Sequence, residues 1–317
     1  MSNVPVDPGN SEAVPPVGSN AQFMKEFEKL IHSYADAVSK DKPQEAHNAA
    51  MQALLMAGEE ALRNPTPSLL LKQEAADCEA SGDWSGAETA YRKVLAMEET
   101  SGNFGMLAKA HMDLCVLLRT LARLDEASQF AAYATDAARR TQIFPVLVRA
   151  LELQSFCALD RGDVAMALTS ASEALQVIEP GKMFMLMRAK ALITRARCEV
   201  AADQTEAADS DLASSWELLQ ARASPVTPGP LLALAYWWEV KGRLGEHRGN
   251  LTRAREAMTR AIEYFRQLNG PYAMVAVARA LQQLSKVLGQ TGDSLSAERA
   301  SAEAKAIRSE LHLPATR

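Results

Sequence analysis

Residues 82–95 read GDWSGAETAYRKVL, and this stretch decides the fold because it recurs along the chain. Related copies are GDVAMALTSASEAL at 162–175 and GNLTRAREAMTRAI at 249–262. Each copy has a glycine, then Asp or Asn, and an alanine five residues after the glycine. Glycine closes a preceding helix in the left-handed conformation, and an Asp or Asn side chain caps the next helix. The stretch therefore predicts a turn and a helix that are repeated.

The alanine of this stretch anchors seven copies, at spacings of 41, 40, 40, 40, 47 and 43 residues. The anchors are Ala46, Ala87, Ala127, Ala167, Ala207, Ala254 and Ala297. Where the glycine is missing, Asp41, Ala122 and Ala202 take its position. A methyl group lets two helices approach closely, and a helix with apolar residues three and four apart precedes each turn. The pattern predicts an all-α superhelix of seven helix pairs.

This unit resembles the tetratricopeptide repeat, with Gly82, Ala87, Tyr91 and Val94 matching its pattern well. The resemblance covers about residues 22–312, and the period near forty is longer than the commonest form of the repeat. It implies a solenoid in which each unit packs on its neighbours and partners lie in a concave groove lined by the first helix of each pair.

The organisation expected from the sequence is a disordered tail at 1–20 and a solenoid at 21–312. The tail is rich in proline and small polar residues. The last helix is expected to be a polar cap. Residues 224–230 read SPVTPGP, so we expect a loop and a candidate hinge at 222–230. One solenoid, or five units plus two divided by that loop, both remain open.

Composition argues against several classes of function. The 317 residues are 48% apolar, carry a net charge of −5 and lack a basic run interleaved with aromatic residues, so we expect no nucleic-acid partner. No apolar run approaches the roughly 18 residues that span a bilayer, so we expect no membrane partner and a cytoplasmic location.

The sequence predicts no enzyme, no cofactor and no metal site. Phosphate-loop, dinucleotide-binding, zinc-protease and serine-hydrolase motifs are absent, and no two of the five histidines have the i, i+4 spacing of a metal site. Cys78, Cys115, Cys157 and Cys198 lie roughly forty residues apart with no close pair, so we expect inert packing and neither a zinc knuckle nor a redox dithiol.

Candidate partner-binding residues follow from the resemblance and from helical spacing. Groove-facing positions recur three, four and three residues apart on one stripe of each first helix. The residues selected are Lys72, Lys109, Met112, Arg119, Arg149, Glu152, Phe156, Tyr236, Glu239, Arg243 and Arg279.

These observations favour a protein-interaction adaptor that binds a peptide or a partner helix in the concave groove. One alternative is a permanent structural subunit of a larger assembly, in which the apolar segment 183–187 is buried by neighbouring subunits. Another alternative is a regulatory protein that senses a ligand.

Overall fold

The computed structural model describes residues 18–40, 42–63, 65–141, 143–178, 184–221 and 227–314. Those residues form fourteen α-helices and no strand, which confirms the predicted all-α solenoid of seven helix pairs. The helices are α1 Gly18–Ser39, α2 Pro43–Arg63, α3 Pro67–Ser81, α4 Trp84–Ser101, α5 Phe104–Thr120, α6 Leu124–Arg139, α7 Phe144–Asp160, α8 Val164–Val177, α9 Met185–Ala201, α10 Thr205–Gln220, α11 Pro228–His247, α12 Leu251–Arg266, α13 Pro271–Gln290 and α14 Ser294–Glu310. Across these ranges, none of the helices has the length and apolar character needed to traverse a bilayer.

The chain divides into two compact units between Thr66 and Pro67. The first unit contains α1 and α2, and the second contains α3 to α14. Helix α1 begins at Gly18, three residues inside the stretch expected to be a tail, and residues 1–17 lie outside the described residues. Of the expected hinge, 222–226 lie outside the described residues, and α11 already begins at Pro228.

The turns between paired helices have the geometry that their residues favour. Gly82 has φ +79°, and the Asp83 carboxylate then accepts a hydrogen bond from the Gly86 amide at 2.9 Å, which caps α4. In the third pair the same left-handed position is held by Ala122 at φ +59°, although its Cβ makes that conformation less favourable.

The anchor alanines lie where helices of a pair meet. Their side chains are fully buried at Ala46, Ala87, Ala127, Ala167 and Ala254, whereas that of Ala297 in the last helix is half-buried. The fifth anchor requires a correction, because Ala208 is buried and Ala207 is exposed. There Asp203, at φ +62°, occupies the glycine position expected for Ala202, so the register is shifted by one residue.

Within the second unit, α13 and the residues after α14 contact α3 and α4, which was not expected from a solenoid whose units pack only on neighbours. The Trp84 indole donates a hydrogen bond to the Leu311 carbonyl at 2.5 Å, and the Tyr272 hydroxyl donates one to the Glu79 carboxylate. Leu311 and Leu313 pack with Trp84 in one apolar cluster. The residues after α14 are therefore a buried contact, whereas within α14 only Ala300 and Ala304 are buried and most of the remaining side chains are exposed.

Candidate functional site

A cavity of about 530 Å³ lies inside the second unit. Side chains from five first helices, α5, α7, α9, α11 and α13, line it together with Leu268 and Asn269. Most of its lining is apolar or aromatic, including Phe156, Tyr236 and Tyr272. Its size and composition are those of a small-ligand or peptide site.

One wall of the cavity is built around the fully buried carboxylate of Glu239 in α11. Arg197 of α9 contacts it at 2.7 Å, Arg279 of α13 at 3.0 Å and Arg243 of α11 at 3.1 Å. Beside them Arg119 of α5 forms an ion pair with Asp160. We name these four arginines and two carboxylates the arginine centre.

Aromatic rings hold the guanidinium groups in place. Those of Arg119 and Arg197 each lie 5.2 Å from the centre of the Phe156 ring. Arg197 also lies 5.1 Å, and Arg279 5.8 Å, from the centre of the Tyr236 ring. Such cation–π contacts fix planar groups at the cavity wall and partly replace lost hydration.

Burial and charge act against each other at this centre. Burial disfavours the charged form of Glu239, but the three neighbouring guanidinium groups hold the pKa of its carboxyl well below the usual range. Burial lowers the pKa of Arg197 to about 10, against the attraction of Glu239. Arg197 therefore remains charged at neutral pH.

A second pocket of about 290 Å³ shares Arg149, Glu152 and Lys190 with the cavity. Its other lining residues are mostly apolar and include Phe184 and Met187. Arg149 pairs with Glu152 at 3.2 Å, whereas no ion pair of Lys190 is found among the described side chains. The two spaces are therefore neighbours, and the side chains of Arg149, Glu152 and Lys190 form a largely cationic junction in both linings.

Six of the eleven residues selected from the sequence line the cavity, namely Arg119, Arg149, Glu152, Phe156, Tyr236 and Arg279. The others do not. Glu239 is fully buried behind the wall, Arg243 pairs with it but keeps a side chain 30% exposed, and Met112 is buried in an apolar cluster. Lys72 pairs with Asp113 at 2.9 Å, and Lys109 is exposed away from the cavity.

The sequence reasoning missed the contribution of α9. Lys190, Ile193 and Arg197 of that helix line the cavity at the same three-and-four spacing used to select residues in the other first helices. Extending the stripe to α9 would have found all three. Tyr272 and Leu232 also line the cavity, and they lie about two turns and one turn, respectively, before the stripes chosen in α13 and α11.

The prediction that no two cysteines form a close pair also requires a correction. The thiols of Cys115 and Cys157 lie 3.4 Å apart in α5 and α7, because a period near forty places equivalent positions side by side in adjacent first helices. Cysteines distant in sequence are thus a close pair in space. In the described ranges, no group of three or more His, Cys, Asp or Glu side chains has a metal-binding arrangement.

Of the apolar segment 183–187, Phe184, Leu186 and Met187 pack against core clusters of the solenoid, as core packing at a helix start requires. Residue 183 lies outside the described residues. Each of residues 184–187 is half-buried.

No protein-family model matches the sequence, and no curated protein matches it either. Among solved structures, the chain is similar to a Rap protein complexed with competence and sporulation factor, at 12% identity and a TM-score of 0.60 over 94% of this chain and 99% of that one. The apo form of RapI gives 8% identity and a TM-score of 0.60 over 90% and 99%. The fold is of the tetratricopeptide-repeat type.

A third similar structure is the Rap conjugation gene regulator of the plasmid pLS20 in complex with the Phr* peptide. It shares 10% identity and a TM-score of 0.58, over 95% of this chain and 79% of that one. At these identities the similarity establishes the tetratricopeptide-repeat-type fold and nothing finer.

Proposed function

We propose that this chain is a protein-interaction adaptor that binds a peptide segment in the cavity of its solenoid. The observation that carries the proposal is a cavity of about 530 Å³ that five first helices line with aromatic, apolar and cationic side chains. Such a mixture suits a peptide, since apolar walls bury side chains while a few charged groups fix the orientation. The similarity to structures described as complexes with Phr* peptide and with competence and sporulation factor supports it.

We propose that the segment binds in an extended form. The cavity and the neighbouring pocket of about 290 Å³ share Arg149, Glu152 and Lys190 in their linings, and an extended chain reaches two neighbouring spaces with few residues.

Affinity selection from a synthetic hexapeptide library, read by mass spectrometry, tests this function. The informative variant is Ala273→Trp, because Ala273 lines the cavity and an indole there would fill it. The next residue, Met274, is exposed and does not line the cavity, so Met274→Trp is the matched control. We expect Ala273→Trp to reduce retained peptide at least about tenfold and Met274→Trp to retain as much as the unchanged protein.

Equal retention by the two tryptophan variants would contradict binding in the cavity. Circular dichroism melting of both variants checks that a loss of binding is not a loss of folding. A result in which the unchanged protein retains no peptide would remove the proposal altogether.

A second candidate is the ligand-sensing regulator. The observation that favours it is Tyr272 of α13, which lines the cavity and also donates a hydrogen bond from its hydroxyl to Glu79 of α3. A ligand that displaces Tyr272 would loosen that contact. Small-angle scattering with and without a selected peptide tests it, and an unchanged radius of gyration would count against it.

A further inference from the structure

The arginine centre carries more positive charge than the protein neutralises. Arg119, Arg197, Arg243 and Arg279 supply four positive charges, while Glu239 and Asp160 supply two negative charges. The excess is two charges. The junction next to it adds Arg149 and Lys190 against Glu152, which increases the excess to three.

The excess charge lies at the cavity and not at the outer surface. Arg119, Arg197 and Arg279 all line the cavity, where the Arg197 side chain is 9% exposed and those of Arg119 and Arg279 are 20% and 27% exposed. A guanidinium group cannot shed its proton at neutral pH, so these partly desolvated arginines leave a positive excess at the cavity wall. An anion in the cavity would offset that excess.

The donors of Arg279 point the same way. Its Nη2 donates a hydrogen bond to the Glu239 carboxylate at 3.0 Å, and a guanidinium group carries five N–H donors in all. The Nε is fully buried, so a ligand oxygen in the cavity would contact Arg279 at its Nη nitrogens. Guanidinium groups that line a cavity bind oxygens of an anionic ligand well.

We propose that the arginine centre binds a carboxylate of the peptide ligand, from an acidic side chain or the C-terminus, while neighbouring apolar side chains of the peptide pack on Phe156 and Tyr236. This inference rests on the proposed function, because the anion belongs to the ligand that fills the same cavity. It makes the peptide an acidic, partly apolar one.

A carboxylate fits better than a phosphate group. Most of the cavity lining is apolar, and a dianion loses more hydration on entering such a space than a singly charged group does. The planar fork of a guanidinium group also matches the two oxygens of a carboxylate.

The first test uses a matched pair of small probes, phenylacetate and phenylacetamide, which differ in charge while sharing ring and shape. Isothermal titration calorimetry at pH 7.5 should give phenylacetate a dissociation constant at least about tenfold below that of phenylacetamide. Phenyl phosphate serves as a third probe. Equal binding of phenylacetate and phenylacetamide, or binding of phenyl phosphate alone, would contradict the proposal that the site binds a carboxylate.

Variants locate the site. Arg279→Met should remove the preference for phenylacetate, whereas Arg255→Met, an exposed arginine on α12, should keep it. Asp160→Asn frees Arg119 from its partner and should tighten phenylacetate binding about threefold, an effect in the opposite direction. If Arg279→Met does not fold, the Asp160→Asn result decides. Unchanged or weaker binding by that variant would contradict the proposal.

The peptide selection separates this inference from the proposed function. Retained hexapeptides should be enriched in Asp and Glu on the unchanged protein and lose that enrichment on Arg279→Met. Peptides retained without acidic preference would overturn the inference and leave the adaptor function intact. With no peptide retained but phenylacetate bound through Arg279, the adaptor function fails and the carboxylate site stands.

Discussion

The two sides of helix α9 carry buried charge of opposite sign. On the cavity side Arg197 joins three further arginines around Glu239 and Asp160. On the side packed against α10, Glu199 and Asp211 share the single guanidinium of Arg195, at 3.6 and 2.6 Å. We call this second group the carboxylate pair.

The difference lies in how each side relieves its excess charge. Burial and the nearby Asp211 raise the pKa of Glu199 to about 7, and its Oε2 has no hydrogen-bond partner among the described residues. The carboxylate pair therefore loses its excess negative charge by taking up one proton near neutral pH. The arginine centre has no such outlet, because guanidinium groups stay charged. Only the cavity side needs an anion from outside.

Breaking the arginine centre should cause the largest loss in the free energy of unfolding. Glu239→Gln leaves three guanidinium groups around a neutral amide, and we expect a loss of about 3–5 kcal/mol in the free energy of unfolding. Because arginine cannot neutralise itself, the loss should be nearly the same at pH 5 and pH 8. Urea denaturation at both pH values measures it.

The matched control for that variant is Glu303→Gln. Glu303 pairs with Arg266 on the surface, where both side chains are about half exposed, and such pairs contribute little to stability. We expect no measurable change. A similar loss in both variants would contradict the special role of Glu239.

Breaking the carboxylate pair should cause a smaller loss in the free energy of unfolding, and this loss should depend on pH. Arg195→Met leaves Glu199 and Asp211 without their cation, and we expect a loss of about 1–3 kcal/mol at pH 8. At pH 5 Glu199 takes up a proton, so the loss should shrink. A loss that is the same at both pH values would remove the contrast with Glu239→Gln.

The smallest effect should be a gain in stability. The pKa of Glu199 is about 7 in the folded chain and near 4.5 when unfolded, so the unfolded chain releases this proton first as pH rises. The ionised form therefore lowers the stability of the folded state progressively from about pH 4.5 to pH 7, and fully above that range. Glu199→Gln should add on the order of 1 kcal/mol at pH 8 and almost nothing at pH 4, as measured by urea denaturation. A destabilised variant at pH 8 would contradict the raised pKa.

Much of the fold follows from local chemistry that can be recognised in the sequence. Gly82 followed by Asp83 specifies a turn and a cap because only a few residue types provide a positive φ and an acceptor at those positions. The fifth unit shows where this reasoning stops. Ala207 and Ala208 are chemically identical, and only Asp203 in the left-handed conformation selects the second as the buried one.

The site is less predictable, because the spacing of residues along a helix shows on which side of the helix a side chain lies but not how deeply it is buried. The same stripe selects Tyr236, which lines the cavity, and Glu239, which is buried behind its wall. The contact between Trp84 and Leu311 depends on the small rotation between each helix pair and the next, added over six pairs. The sequence of one pair does not show how large the total rotation is. The partnership of Glu239 with arginines from α9 and α13 could not be found for the same reason.

The most direct test of a peptide carboxylate at the arginine centre is a crystal structure of the chain with its tightest selected hexapeptide. We expect the peptide to be extended in the cavity, with a carboxylate oxygen within about 3 Å of an Nη nitrogen of Arg279 or Arg197. A peptide seated on the outer surface, or in the cavity with its carboxylates directed away from Arg279 and Arg197, would contradict it.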